Sequence, residues 1–210
     1  MRIKTEERKQ HILKVASEVF LEAGFERASM AEISARVGGS KATLYSYFPS
    51  KSALFVATTI LHGKSHADEA LSVLIPRADN LQQTLQCYGE RILALVGSER
   101  LVCALRIVIA EDTSSKAGKL FYQAGPQHGH DALAGFLALE IKAERLKTGD
   151  ANVMAFHLTG LLCSQTTMRQ LLGVKKNISR EVNKRYAAAA VEMFMAAYGA
   201  GRPETRPPAT

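Results

Sequence analysis

The residues best suited to chemistry lie between positions 37 and 51, in the sequence VGGSKATLYSYFPSK. Its two lysines, two tyrosines and several hydroxyl side chains can all donate hydrogen bonds to phosphate groups or to the edges of bases. The segment belongs to a longer stretch, from Glu32 to Asp68, that has no acidic residue inside it. Four basic residues stand in this gap: Arg36, Lys41, Lys51 and Lys64. Because a carboxylate would repel a nucleic-acid backbone, the gap favours a surface that faces a polyanion.

Local signals predict that this segment folds as two short helices. Ser29 stands three residues before a glutamate, which is the pattern of a capping box, so a helix should begin there and end at Gly38-Gly39. Ser40 can cap a second helix of about two turns, which Pro49 closes. Two helices joined by a short glycine turn predict a helix-turn-helix over residues 29–48.

In that arrangement the second helix enters the major groove of DNA with its first residues facing the bases. Lys41 can donate to guanine, and the methyl groups of Ala42 and Thr43 suit the thymine methyl. Tyr45 and Tyr47 lie about 200° apart around a helix, so their hydroxyls would meet phosphates on opposite walls of the groove. Ser29 and Lys51, each at the first turn of a helix, are placed for further phosphates. The alternative is that Tyr45, Tyr47 and Phe48 form a hydrophobic plug, with Phe48 in the core under either interpretation.

The rest of the chain is predicted to be helical, so the fold class is all-α. Apolar periodicity and capping residues predict helices over 5–23, 80–96, 99–112, 115–124, 127–146, 150–172 and 179–199, besides one that begins after Ser50 and ends before Pro76. We expect a DNA-binding domain over 1–50, a helical regulatory and dimerisation domain over 51–200, and a disordered tail over 201–210, where three prolines occur without apolar periodicity.

Composition excludes several classes of protein. The net charge of +7 permits a polyanionic partner, and the absence of a signal-peptide pattern or a long apolar run predicts a cytoplasmic protein without membrane association. Three widely spaced cysteines suggest neither a disulfide framework nor a zinc site, and His62 and His66 lack the acidic residue of a metal motif. No catalytic motif is present, so we expect no enzyme activity, no metal and no cofactor.

The residues R-K-x-x-I-L-x-x-A-x-x-x-F-x-x-x-G-F, followed by S-M-A-E-I-S-A-R-V-G-G-S-K-A-T-L-Y-S-Y-F-P-S-K-S-A-L-F, resemble the DNA-binding domain of the TetR family over residues 8 to about 60. The resemblance implies an all-α homodimer in which three helices bind DNA and a larger helical domain binds a small molecule that releases the operator. It places these residues at DNA-contacting positions: Ser40, Lys41, Ala42, Thr43, Tyr45, Tyr47 and Lys51. Gly39 departs from the family pattern, where valine is more usual. R-I-V-I-A-E and L-F-Y-Q-A-G-P, at 106–111 and 120–126, resemble the C-terminal domain of the AefR-like branch.

The last predicted helix indicates how two copies would associate. From Tyr186 to Tyr198 it carries one charge and is apolar around most of its circumference, so we expect it to be covered on both sides. With the helix over 150–172 it could form half of a four-helix seam between two protomers. A two-fold dimer matches a pseudo-palindromic operator.

A small, mostly apolar effector is expected between the helices of the second domain, where it would shift the helix after residue 51 and so change the separation of the two recognition helices. Apolar or aromatic character selects the candidate wall residues Tyr88, Ile92, Cys103, Ile107, Phe121, Phe136, Phe156 and His157. The sequence thus predicts a ligand-responsive repressor. Two alternatives stay open: a helical small-molecule-binding protein or enzyme that does not bind DNA, and a DNA-binding regulator that responds to oxidation of its cysteines.

Overall fold

The computed structural model describes residues 5–76, 79–111, 117–164, 166–174 and 178–200. In these residues the chain forms eleven α-helices. One isolated antiparallel β-bridge pairs Leu146 with Gly199. The helices are α1 (Glu6–Arg27), α2 (Met30–Val37), α3 (Lys41–Tyr47), α4 (Lys51–Leu71), α5 (Leu81–Val96), α6 (Glu99–Ala110), α7 (Ala117–Ala124), α8 (Pro126–Lys142), α9 (Ala151–Cys163), α10 (Thr167–Leu171) and α11 (Arg180–Tyr198). The predicted all-α fold class is confirmed. The predicted tail over 201–210 lies outside the described residues.

Capping side chains set the starts of the helices at the positions that the sequence predicts. In each case a side-chain oxygen accepts a backbone N–H from the first turn, which satisfies a donor that has no partner inside the helix. The predicted caps Ser29 and Ser40 are confirmed. Four further residues cap helices in the same way: Ser50, Asn80, Asp150 and Ser179. No helix in the described part of the chain is both long enough and apolar enough to span a membrane.

The helices group into two compact units. The first comprises Met1–Ser65 and Glu99–Pro126, and its core contains buried residues of α1 to α4 together with Ala104 of α6 and Phe121 of α7. Because α6 and α7 pack on the N-terminal core, this unit does not coincide with the predicted DNA-binding domain over 1–50. The functional division at residue 50 therefore stays a prediction.

The second unit comprises His66–Ser98 and Gln127–Thr210. Its core is built on α5, α8, α9 and α11, with Leu85, Leu137, Leu158 and Phe194 fully buried. Gly89 allows α5 and α11 to approach closely, since a Cβ there would lie 3.2 Å from the Cβ of Ala187.

Several predicted helices have different bounds in the structure, and two of the differences have a local cause. The helix predicted over 150–172 is broken into α9 and α10, and near the break the Ser164 hydroxyl donates to the carbonyl of Leu161. Such hydroxyl residues compete with helical backbone bonds, which favours a break. The helix predicted over 127–146 ends at Lys142, because Glu144 adopts a left-handed φ of 56° and Leu146 pairs with Gly199.

Gly24 interrupts α1 as the sequence predicts, although a further short turn continues to Arg27. Its φ of 75° and ψ of 169° fall in a region that almost only glycine occupies. The interruption turns the chain so that the backbone carbonyls of Phe25, Glu26 and Ala28 converge on one point.

We predict opposite effects from the same substitution at two glycines. A Cβ added at Gly24 or at Gly63 meets no atom within 4 Å, so in both cases the effect is conformational. Gly24→Ala should lower the free energy of unfolding by about 1–3 kcal/mol, because alanine disfavours the conformation there. Gly63→Ala lies inside helix α4 and should raise it by about 0.5–1 kcal/mol.

Urea unfolding followed by circular dichroism would measure both changes. A Gly24→Ala variant as stable as the Gly63→Ala variant would contradict the assigned backbone conformation.

Candidate nucleic-acid interface

The turn between α2 and α3 is held by hydrogen bonds within its own few residues. Gly38 adopts a left-handed φ of 69°, and its N–H reaches the carbonyls of Ser34 and Ala35. The Ser34 hydroxyl, which is buried, donates to the carbonyl of Gly39 at 2.8 Å. These bonds fix the angle between the two helices, so the predicted helix-turn-helix over 29–48 is confirmed as a local structure.

Gly39 leaves room for a side chain from α1. The Nη2 atom of Arg8 donates to the carbonyl of Gly38 at 3.2 Å, and a Cβ on Gly39 would lie 2.8 Å from the same atom. Where the family usually has valine, this chain has a glycine, and the guanidinium of Arg8 lies against the turn at that position. No pattern in the sequence indicates this contact, because Arg8 and Gly38 are 30 residues apart along the chain.

Helix α3 divides into a buried face and an exposed face. Leu44 and Phe48 are buried in the core of the first unit, as the plug interpretation requires for Phe48. Lys41 and Ala42 are exposed at the start of the helix, and Tyr45 is 48% exposed. A plug made of all three aromatic residues is therefore excluded, because Tyr45 lies on the solvent side.

Four other predicted contact residues take part in internal bonds. The Ser40 hydroxyl caps α3 and lies 2.9 Å from the hydroxyl of Thr43. Tyr47 is half-buried, and its hydroxyl accepts the backbone N–H of Thr5 at 3.1 Å, which ties α3 to the start of α1. The Ser29 hydroxyl is exposed and caps α2.

Lys51 lies differently from the prediction. Its Nζ donates to the carbonyls of Phe25, Glu26 and Ala28 at 2.8, 3.2 and 3.2 Å, and stands 4.4 Å from the centroid of the Phe25 ring. An ammonium group has three N–H donors, so these three carbonyls use all of them. The predicted phosphate contact by Lys51 is therefore corrected, since it would cost these bonds. Lys51 instead fastens the start of α4 to the end of α1.

Arg36 also forms ion pairs within the protein. Its guanidinium bonds to Glu22 at 2.8 Å and to Glu32 at 2.9 Å, which joins α1 to α2. The hydrogen bond that Arg36 donates to Glu22, together with the charges of both carboxylates, raises the pKa of Arg36. Of the basic residues that mark the acid-free gap, two thus have internal partners, and Lys41 is the one exposed on the recognition helix.

A polar contact joins α6 to α1 and α4 inside the first unit. The hydroxyl of Ser17, which is buried, accepts from Nη2 of Arg100 and lies 3.1 Å from Nε2 of His62. The Nδ1 of His62 lies 3.0 Å from the carbonyl of Thr58, one turn earlier. Burial lowers the pKa of Arg100. His62 therefore bonds to protein groups, whereas the sequence left it as an unassigned histidine.

The eight predicted effector-pocket residues are divided between the two units. Cys103, Ile107 and Phe121 belong to the first unit, and the other five belong to the second. Of those five, Tyr88 and Phe136 are buried in the core, and Ile92 packs partly against it. The two on α9 lie at the surface: Phe156 is 58% exposed and stacks on His130, and His157 hydrogen-bonds to the hydroxyl of Tyr198.

Burial favours the protonated thiol at two cysteines. It raises the pKa of the Cys163 thiol and of the Cys103 thiol, so both favour the protonated form, which is a poor nucleophile. This chemistry weighs against the oxidation-responsive alternative. Burial likewise raises the pKa of the Tyr88 hydroxyl, which keeps it neutral.

A capped helix-turn-helix on a helical core defines the class of DNA-binding transcriptional regulators, and comparison with known proteins gives the family. Residues 12–58 match the family described as bacterial regulatory proteins, tetR family, and residues 83–200 match the AefR-like transcriptional repressor, C-terminal domain. The chain belongs to the TetR family, with an AefR-like C-terminal domain. Both family descriptions are those of transcriptional regulators.

Individual relatives agree with this assignment. The HTH-type transcriptional activator FasR of Mycolicibacterium smegmatis is 37% identical over 82 residues, which is 39% of this chain and 37% of FasR. This chain thus matches little more than a third of the length of that curated relative. A putative TetR-family regulator from Mesorhizobium loti is 27% identical with a TM-score of 0.78, over 93% of this chain and 100% of that one. The flavonoid-responsive regulator FrrA is 26% identical with a TM-score of 0.67, over 94% and 100%.

The Lys51 contacts give a prediction about stability. Lys51→Met keeps the length of the side chain but leaves three carbonyls without their donor, so it should lower the free energy of unfolding by about 1–3 kcal/mol. The matched change Lys41→Met, at an exposed position, should alter it by less than about 0.5 kcal/mol. Urea unfolding monitored by circular dichroism distinguishes the two. Equal stability of the two variants would show that Lys51 is not a structural contact.

Proposed function

We propose that this protein is a repressor that binds a pseudo-palindromic operator as a homodimer and releases it when an effector binds. The observation that carries the proposal is the exposed first turn of α3. Lys41 and Ala42 stand there on a helix whose opposite face is anchored by Leu44 and Phe48. A recognition helix needs this combination, because its outer residues must reach the bases while its inner residues hold the angle of entry.

Each predicted contact residue takes a role that its geometry permits. Lys41 donates to guanine, and Ala42 and Thr43 offer methyl groups to thymine. Ser29, Ser40, Tyr45 and Tyr47 lie around the helix-turn-helix and contact phosphates, which set the register of the protein on the duplex. Lys51 has an indirect role, because it positions the start of α4.

The larger of the two matches supports repression. The AefR-like repressor model matches more than half of the chain, whereas FasR, named an activator, matches 82 residues. The regulatory part of the chain therefore favours repression.

The surface of the second unit supports the dimer. Val153 and Phe156 are 44% and 58% exposed on α9, and Met193 is 61% exposed on α11 beside the exposed Ala189 and Ala196. Apolar residues three and four positions apart form one stripe along a helix, and such stripes on two helices of one unit suit an isologous four-helix contact. Burying them against a second copy would remove this apolar area from water.

The effector response draws on two observations. FrrA, one of the similar structures, is named flavonoid-responsive. In this chain α6 follows α5 after two residues, and Arg100 of α6 bonds to Ser17 of α1. A displacement of α6 would therefore pull on a helix of the DNA-binding part. A coupling of about 1–3 kcal/mol would change operator affinity about 5- to 150-fold.

DNA binding is tested by the mobility of DNA from upstream of the protein's own gene. Lys41→Ala should weaken binding about 5- to 150-fold and relax the preference at one base pair of each half-site, because it removes a base contact. The thermal midpoint should stay unchanged, since Lys41 is exposed.

Lys64→Ala is the matched control, because it removes the same charge from an exposed position far along α4. Wild-type protein that shifts no upstream DNA, or a Lys41→Ala variant that binds like the Lys64→Ala control, would favour the alternative of a helical carrier or enzyme without DNA binding.

The dimer is tested by placing a charge in its seam. Met193→Arg puts a cation into the apolar stripe of α11, so it should convert the protein to monomers and abolish binding to the two-half-site operator. Light scattering after gel filtration measures the mass. Leu21→Arg, at a residue of α1 that is 81% exposed, should leave the dimer intact. A dimeric Met193→Arg variant would place the interface elsewhere.

A further inference from the structure

A groove in the second unit belongs to no function described so far. It lies between the C-terminal half of α5 and the N-terminal end of α11, has a volume of about 470 Å³, and contains none of the eight predicted effector-pocket residues. Its apolar wall comes from Leu93, Ala94 and Ile178. A volume of this size is within the range of small-molecule sites.

Asn183 stands out among the residues that line the groove. It lies on the buried stripe of α11, one turn before Ala187 and in line with Ala190 and Phe194, where an apolar side chain would be expected. The residue is 7% exposed, and its Oδ1 has no hydrogen-bond partner in the described part of the chain. Buried polar atoms are nearly always paired, so an unpaired acceptor beside a cavity indicates a place for a donor from outside.

The charged residues that line the groove indicate a second group that the ligand carries. Arg91 and Arg180 contribute two positive charges, and Glu90 contributes one negative charge. One donor of Arg91 reaches the carbonyl of Glu69, which orients the guanidinium, and Glu90 accepts from Gln86 at 3.4 Å. Because a guanidinium carries five donors, it can still bind an anion while it makes such a bond.

We propose that this groove binds a small organic acid that also carries a hydroxyl or an amide N–H. When the ligand binds, the side chain of Asn183 rotates so that Oδ1, which is occluded in the structure, accepts the donor of the ligand. The carboxylate of the ligand pairs with Arg180 and Arg91, and its apolar body lies on Leu93 and Ile178. The proposal that the groove binds this ligand depends only on these contacts. The further step, that the bound ligand changes operator binding, rests on the proposed function.

Calorimetry with the full chain tests the site by a set of three related probes. The first, 3-(4-hydroxyphenyl)propionate, has both groups; 3-phenylpropionate lacks the hydroxyl, and 3-(4-hydroxyphenyl)propionamide lacks the charge. The first should bind at least about fivefold more tightly than either of the others, because each of those loses one of the two polar contacts.

Two variants and a control locate the site. Asn183→Leu should weaken binding of the first probe at least about fivefold. It should also raise the thermal midpoint by about 2–4 °C, because it removes an unsatisfied buried atom from a core stripe. Arg180→Gln, at an exposed position, should weaken binding without changing the midpoint. Lys184→Gln removes the same charge from an exposed position of α11 that does not line the groove, and should bind as the wild type does.

Failure of this proposal is separable from failure of the proposed function. Absence of binding at millimolar probe, equal binding of all three probes, or a lower thermal midpoint for Asn183→Leu would overturn the groove as a ligand site. A mobility-shift assay of the same variants without probe should show wild-type DNA binding. Wild-type protein that binds the probe but no DNA would overturn the proposed function and leave the groove standing.

Discussion

The ammonium group of Lys51, seated on three backbone carbonyls at the end of α1, holds the N-terminal helices in their arrangement. The carbonyls converge because Gly24 interrupts α1 with a backbone conformation that almost only glycine adopts. The position of α3 depends on both, since α3 lies between α2 and α4 along the chain and is bound to the start of α1 through Tyr47. Lys51 therefore supplies a structural contact and not a charge that is available to DNA.

The exposed face of the recognition helix has few residues left to contact DNA once these internal bonds are counted. Arg36 is paired with two glutamates and Lys51 with carbonyls, so the acid-free gap is less positive than its composition indicates. Lys41 remains as the basic residue exposed on α3. Specificity at one base pair should then depend on a single lysine, and the hydroxyl and backbone donors around it should fix the register.

The second unit combines a core packed as in other helical bundles with one position that breaks the pattern. Gly89 and Ala187 bring α5 and α11 close together, and the apolar stripe of α11 continues through Phe194. Asn183 interrupts that stripe beside the groove. Proteins violate their own packing rules most often where a ligand binds, because the cost in stability is balanced by function.

The sequence by itself determined whatever depends on neighbours within a few residues. The caps at Ser29 and Ser40, the glycine turn and the helix-turn-helix are local, because a capping hydroxyl meets an N–H only three residues away. The tertiary structure decided what depends on residues distant in the chain. It directed Lys51 onto the end of α1, set Arg8 against Gly39, and divided the predicted pocket residues between two units. Periodicity shows which face of a helix is apolar, but not which helix will cover it, and for that reason the groove beside Asn183 could not be read from the sequence.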